Sequence, residues 1–195
     1  MLALRSILVM DALDEGAMKA AAGSAADAIL IDLAAPSLHG QRAEARGLAR
    51  RHAQAIGKTG RPVLVRVSDA RSGEMGADVE AAVGQWLTGV VVSGVEEPQD
   101  VRDADVLVRK FEMRTKLVPG EIAIVPELDS AEGLVALMRI LLAIDRVKAI
   151  SLSIDGLRRD LRLGPGAGTL YEHAMAEVAI HADAARLPWV VHVQH

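Results

Sequence analysis

Charged side chains follow several of the short apolar runs in this sequence, at the position where each run ends. The charged residues in these positions are Asp11, Asp32, Arg66, Glu127, Asp129, Asp155 and His192. Side chains of these types bind cations, bind anions and transfer protons. In a β/α barrel the carboxyl ends of all strands meet at one rim, and that rim carries the active site. The pattern therefore predicts an assembled site, and the alternative is that these strands simply end in polar loops.

Two kinds of segment alternate along the chain, and together they predict the strands and helices that would position these side chains. Short runs of valine, isoleucine and leucine show no polar alternation, which is typical of parallel strands buried on both faces. We predict strands near 5–11, 28–33, 62–68, 89–95, 121–128, 147–154 and 188–194. Alanine-rich segments of mixed charge separate these runs and have helical spacing. We predict helices near 13–24, 38–56, 75–87, 98–115, 130–144 and 169–186, with a short helical turn over 156–162.

The clearest helix is the one predicted over 130–144. Its apolar stripe recurs every three or four residues, which places these side chains on one helix face. The stripe consists of Leu134, Leu137, Met138, Leu141 and Leu142. Ser130 is the predicted N-cap, because a serine side chain can accept a hydrogen bond from a free backbone N–H of the first turn.

Regular alternation of strand and helix predicts a parallel α/β architecture, and both a doubly wound sheet and a barrel satisfy it. No G-x-G-x-x-G motif follows the first strand, which disfavours a dinucleotide-binding sheet. We therefore predict a TIM-type β/α barrel as a single domain over residues 1–195, with about seven parallel strands and about six helices. The barrel is expected to be shortened, lacking the eighth strand and the final helix, because full barrels have ~250 residues.

Composition excludes several classes of function. The chain contains no cysteine, which excludes disulfides and thiolate metal sites and fits a cytoplasmic protein. A net charge of −4 with only two Trp, one Tyr and one Phe gives no sign of a nucleic-acid surface. No apolar run approaches the ~20 residues that span a bilayer, so we expect no membrane insertion.

Several local motifs occur in an order that carries a family resemblance. These segments are Arg5–Leu8, Ala25–Leu33, Arg42–Arg46, Arg61–Val67, Val95–Val101, Pro126–Leu134 and Ile150–Leu161. Together they resemble the citrate lyase β-subunit-like branch of the HpcH/HpaI aldolase family, over nearly the whole chain. The resemblance implies a β/α barrel, Mg²⁺ held by acidic residues, and reversible C–C bond cleavage. Its substrates would be oxo- or hydroxy-acids, often as CoA thioesters.

The resemblance implies a substrate-binding and catalytic role for Arg66, because it keeps the arginine that holds the substrate carboxylate or carbonyl in the family. A rigid guanidinium fork suits a carboxylate. The alternative for Arg66 is a structural salt bridge across the rim. Asp32, which the family also has after its second strand, is the other predicted catalytic residue.

The predicted metal ligands are Asp129, Asp155 and Glu127. Asp129 stands where the family has its metal-binding glutamate, and a helix cap or first-turn acid is the alternative. Glu127 lies two residues earlier and points to the same side if the strand continues. Asp155 comes one residue before the family's second acidic ligand, whose own position is occupied by Gly156. We therefore expect Mg²⁺ binding to be weak or absent.

Two functional hypotheses follow. The first is a divergent citrate lyase β-like protein that, if active, cleaves a C–C bond of an oxo- or hydroxy-acid or its CoA thioester with Mg²⁺. The alternative is a non-catalytic barrel that acts as a structural or regulatory partner. In either case we expect a homo-oligomer, because an incomplete barrel exposes strand edges, and a closed seven-stranded barrel is the competing solution.

Overall fold

The computed structural model describes residues 6–164 and 168–192 and contains seven strands and seven α-helices. The strands are β1 (Ile7–Asp11), β2 (Ala28–Asp32), β3 (Val63–Val67), β4 (Gly89–Val92), β5 (Ala123–Leu128), β6 (Ile150–Ser153) and β7 (Trp189–His192). The helices are α1 (Glu15–Ala22), α2 (Arg42–Gly57), α3 (Met75–Ala82), α4 (Pro98–Arg114), α5 (Ala131–Leu141), α6 (Ile154–Asp160) and α7 (Gly168–Ala184). A 3-10 helix, Pro36–Leu38, precedes α2.

All seven strands form one parallel sheet in the order of the chain, from β1 to β7. This arrangement confirms the predicted parallel β/α architecture, because each helix returns the chain to the same end of the sheet. The sheet curls into a partial barrel. Within the described residues, β1 pairs only with β2 and β7 only with β6, so β1 and β7 do not close the barrel on each other.

Two apolar layers pack against the two faces of the sheet. The larger cluster lies between the sheet and the surrounding helices and contains residues such as Ile29, Val65 and Ile150. The smaller cluster lies on the inner face of the curl and consists of Leu30, Leu64, Val91, Val125 and Ala149, with Ile7 and Val9 partly buried beside it. Successive strand residues point to opposite faces, so buried runs without polar alternation are what this two-sided packing requires.

Helix α5 ends earlier than predicted. Ser130 is its N-cap, as predicted, and its side chain accepts a hydrogen bond from the Gly133 N–H. Leu137 and Leu141 are buried against the sheet. Leu142 is 70% exposed, because it is the C-cap and therefore lies beyond the helical stripe.

The predicted strand 147–154 is too long, since helix α6 begins at Ile154. The hydroxyl of Ser153 accepts a hydrogen bond from the Gly156 N–H at 3.1 Å, which caps a helix there. Asp155 therefore lies in the first turn of α6. The predicted strands 5–11 and 188–194 extend at their outer ends beyond the described residues.

Among the described residues, no helix combines the length and the apolar character that crossing a bilayer would require.

Candidate active site

A polar layer lies directly above the inner apolar cluster, at the carboxyl end of the strands. It consists of the buried side chains Asp32, Arg66, Ser93, Glu127 and Ser151. Each comes two residues after a member of the inner apolar cluster, so the two-residue period of a strand turns it to the same inner face. The alternation that fills the barrel with apolar side chains thus also brings these polar side chains together.

Arg66 is the centre of this layer and binds two carboxylates. Its Nε donates to Glu127 Oε1 at 2.7 Å, and its Nη2 lies 2.6 Å from the same oxygen. Its Nη1 lies 3.2 Å from Oδ2 of Asp32, which is its register partner on β2. The hydroxyl of Ser151 donates to the second oxygen of Glu127 at 3.3 Å. A guanidinium held on both sides in this way is fixed in one orientation.

Burial and the neighbouring charges shift the pKa of Asp32 and the pKa of Arg66. Burial raises the pKa of Asp32 above its ordinary value, while the neighbouring Arg66 opposes this rise. The Ala34 N–H, which donates to Asp32 Oδ1 at 2.8 Å, opposes it as well. Burial alone would lower the pKa of Arg66, but Glu127 and Asp32 outweigh burial and hold that pKa above its ordinary value. Arg66 is therefore a permanent cation.

A cavity of about 380 Å³ opens above this layer. It is lined by Arg66 from β3, by Asp129 after β5, and by residues of the neighbouring loops and of α6: Ala34, Pro36, Asp69, Arg71, Ser93, Gly94, Glu96 and Arg159. Its volume falls within the range of about 300–1,000 Å³ that is usual for small-molecule sites. Its position at the carboxyl ends of the strands is that of β/α-barrel active sites.

Asp129 lies in this cavity, two residues beyond Glu127. Burial raises its pKa to about 6, and the negative charges of Glu127 and Glu96 add to the rise. The positive charges of Arg66 and Arg159 oppose it. Asp129 is not the cap of α5, because Ser130 is, and Asp129 lies immediately before that cap rather than in the first turn.

Arg71 joins the loop after β3 to the loop after β4. Its Nη1 donates to the Gly94 carbonyl at 3.2 Å, and its Nη2 lies 2.9 Å from Glu96 and 3.1 Å from Asp100. Gly94 has a φ of +61°, and a Cβ there would come within 2.9 Å of Asp69 Cβ, so the close approach of the loops requires glycine.

Two arginines of α2 form hydrogen bonds that hold the loop after β3 in place. Arg42 Nη1 donates to the Ser68 hydroxyl at 2.9 Å, and Arg46 Nε donates to Asp78 at 2.7 Å. Asp78 in turn accepts from the Ser68 N–H at 3.0 Å. The motif Arg42–Arg46 therefore stabilises the loop that carries Asp69 and Arg71 into the cavity.

The structure brings together only some of the predicted site residues. Asp32, Arg66 and Glu127 form one buried cluster, and Asp129 shares the cavity with Arg66. Asp155 lies in α6 and is not among the residues that line the cavity.

Sequence analysis missed Asp69 and Arg71 and left Arg159 out of the site. These residues lie in loops or on a helix, where no strand period indicates the direction of a side chain.

The residues present do not fit the Mg²⁺ site that the family resemblance implies. Within residues 6–164 and 168–192, no group of three or more His, Asp or Glu side chains is arranged to hold a metal ion. Glu127 is engaged by Arg66 and Ser151. Gly156 supplies no carboxylate, and a Cβ at this position would lie 2.3 Å from Asp129 Cβ. An aspartate at residue 156 would therefore collide with Asp129, which is itself a predicted metal ligand.

A family model describes almost the whole of this chain. Residues 5–193 match the model of the HpcH/HpaI aldolase/citrate lyase family. The chain belongs to this family. The prediction from the motif order is thereby confirmed, and the parallel sheet and the position of the cavity agree with it. No curated protein matches this HpcH/HpaI family member at a significant level.

Solved structures share the fold of this HpcH/HpaI chain at low sequence identity. The CitE protein from Mycobacterium tuberculosis, in complex with magnesium and acetoacetate, is 20% identical with a TM-score of 0.74, over 99% of this chain and 74% of that one. RipC from Yersinia pestis is 16% identical with a TM-score of 0.73, over 97% and 75%. A lead(II) complex of malate synthase from Haloferax volcanii is 17% identical with a TM-score of 0.82, over 96% and 61%.

Proposed function

We propose that this protein binds a small oxo- or hydroxy-acid, free or as a CoA thioester, and that its reaction is reversible C–C bond cleavage. The observation that carries the proposal is Arg66, a permanent guanidinium cation held rigidly below a cavity of about 380 Å³. Family membership and the magnesium and acetoacetate complex of the CitE protein support this class of ligand.

Arg66 would bind the acid and stabilise the charge that develops during cleavage. For a hydroxy-acid, a base removes the proton of the substrate hydroxyl and that carbon becomes a carbonyl as the C–C bond breaks. The electron pair of the broken bond forms an enolate on the other fragment, with the negative charge on its carbonyl oxygen, and this enolate then takes up a proton. A fixed guanidinium beside that oxygen stabilises the charge without having to reorient. Asp129 in the same cavity has a pKa of about 6, which suits an acid or base that exchanges a proton near neutral pH.

Magnesium has only a minor place in this proposal. Asp129 lines the cavity, whereas Asp155 lies in α6 and is not among its lining residues, so we propose that these predicted ligands hold Mg²⁺ weakly at most.

Isothermal titration with pyruvate and with oxaloacetate tests the binding step. We expect the wild-type protein to bind both acids, and Arg66→Lys to weaken binding about tenfold, because lysine lacks the bidentate fork. Arg61→Lys is the matched control. Arg61 precedes the same strand at its amino end, where it donates to the Ala21 and Ser24 carbonyls at 2.7 and 2.9 Å. Equal losses in both variants, or no binding by the wild-type protein, would refute the proposal.

A non-catalytic barrel is the second candidate, and the packing of Gly156 against Asp129 favours it. Such a protein would retain the cavity and bind an acid without cleaving it. A cleavage assay on oxaloacetate and on a hydroxyacyl-CoA thioester distinguishes the two. Acid binding together with no product over background, at saturating acid, would favour the non-catalytic protein.

We also propose that the protein is a homo-oligomer. Within the described residues β1 and β7 each pair on one side only, and Ile7 and Val9 remain partly exposed on the inner face. Exposed strand edges favour association with another chain. Sedimentation equilibrium at low micromolar concentration tests this, and a stable monomer of 20.7 kDa would refute it.

A further inference from the structure

Arg159 differs from the other two arginines that line the cavity. Arg66 binds Asp32 and Glu127, and Arg71 binds Glu96 and Asp100. In the part of the chain that the structure describes, the Arg159 side chain has no hydrogen bond and no carboxylate within ion-pair distance. It is solvent-exposed and therefore open to a ligand.

The face of α6 that carries Arg159 is the face turned to Asp129. Gly156 and Arg159 are three residues apart in the helix and so share one face. Gly156 packs so closely on Asp129 that a Cβ would lie 2.3 Å from its Cβ. Arg159 projects from the next turn into the cavity, where its positive charge acts on Asp129.

This arrangement reverses the charge that the family resemblance implies for this side of the site. The resemblance places a metal-binding aspartate at residue 156, whereas this chain has glycine there and an arginine one turn later. The carboxylate that would attract a divalent cation is missing, and a side-chain cation is present instead. The cavity thus contains a positive charge that no neighbouring carboxylate neutralises at ion-pair distance among the described residues.

We propose that Arg159 binds the anionic group of the acid in the role that a divalent cation would otherwise have, so that acid binding in this cavity needs no metal. The inference rests on the proposed function, since it concerns the ligand of the same cavity. An exposed guanidinium can form a bidentate pair with a carboxylate. Arg66 below and Arg159 at the side would then hold the acid between two cations.

Titration with pyruvate, in the presence of EDTA and separately with excess Mg²⁺, tests the inference. We expect the same dissociation constant under both conditions to within about twofold, and a loss of about tenfold in Arg159→Ala. Arg158→Ala is the matched control. It removes the same charge from the neighbouring residue of α6, which is exposed, donates to the Leu163 carbonyl at 3.4 Å, and does not line the cavity. We expect this control to change binding by less than about twofold.

Further readouts separate failure of this inference from failure of the proposed function. Arg159→Lys should recover part of the lost affinity, and thermal unfolding should be unchanged in Arg159→Ala because the side chain is exposed. If the wild-type protein binds pyruvate only with Mg²⁺, or if Arg159→Ala and Arg158→Ala lose affinity equally, the inference is overturned while the proposed function stands. If pyruvate does not bind under either condition, both are overturned.

Discussion

Two buried clusters, one at each end of the strands, contain the same groups and have different surroundings. At the carboxyl end Arg66 binds Asp32 and Glu127. At the amino end Arg146 binds Glu112 at 2.8 Å and Asp105 at 3.0 Å. Each cluster therefore combines one guanidinium with two carboxylates.

The two clusters differ in the other groups that surround their charged side chains. Glu112 also accepts hydrogen bonds from the N–H groups of Gly120 and Ile122 at 3.0 and 3.1 Å, so backbone and arginine together satisfy it. Arg146 does not line the cavity described above. Arg66 borders that cavity and has a further carboxylate, Asp129, close by. Identical charges thus lie away from the cavity at one end and border it at the other.

The largest effect on stability is expected from Glu112→Ala at the amino end. It leaves the buried Arg146 with Asp105 as its one remaining carboxylate partner and removes the acceptor of the buried Ile122 N–H, which costs about 3–5 kcal/mol of unfolding free energy. Urea unfolding measures this loss, and Glu112→Gln should lose less because it keeps one acceptor oxygen. Pyruvate affinity should not change in the folded protein, and a change would contradict the assignment of this cluster to stability alone.

The corresponding change at the carboxyl end, Glu127→Gln, should lower the stability of the fold and strengthen acid binding. Losing the charged partner of Arg66 is expected to lower the unfolding free energy by roughly 2–3 kcal/mol. Acid binding should become tighter by about threefold, because Arg66 is then shared with one carboxylate fewer. Urea unfolding and pyruvate titration of one preparation measure both effects, and weaker pyruvate binding would contradict this interpretation of the cluster.

Gly156→Ala tests the close contact between α6 and Asp129. The added Cβ meets Asp129 Cβ at 2.3 Å and the Ser153 hydroxyl at 3.0 Å, so we expect a loss of about 1–3 kcal/mol from overpacking. Gly47→Ala is the control. Gly47 is exposed within α2 and a Cβ there meets nothing within 4 Å, so this variant should gain about 0.5–1 kcal/mol. A Gly156→Ala protein as stable as the wild type would show that α6 moves away from Asp129 without cost.

The smallest effect is the pH dependence of Asp129→Asn. The pKa of Asp129 rises from 3.8 to about 6 in the folded protein, so the folded state binds this proton more tightly than the unfolded state. The resulting stability is present at acidic pH and is lost as the pH rises through about 6. Asp129→Asn should therefore match the wild type near pH 4 and be more stable by roughly 1–2 kcal/mol near pH 8, after allowance for solvent screening. Urea midpoints measured across this range check the trend, and a constant difference at all pH values would contradict it.

The sequence by itself determined the elements and the end of the sheet at which the site lies. Buried strands and amphipathic helices are recognisable from local periods of two and about 3.6 residues. Parallel order then places every strand end on one rim, which is why the sequence alone predicts that Asp32, Arg66 and Glu127 lie at the same end of the sheet. The N-cap at Ser130 follows from the same local rules.

Only the tertiary structure decided which of these groups touch. Arg66 and Glu127 are 61 residues apart in sequence, and their contact depends on how far the sheet curls. The start of α6 at Ile154, the packing of Gly156 on Asp129 and the positions of Arg71 and Arg159 depend on loop paths and close approaches between distant segments. Local periods carry no information on such distances, which are set by long-range packing. For this reason the buried Arg66 borders a cavity, whereas the buried Arg146 lies against Glu112 and Asp105 away from it.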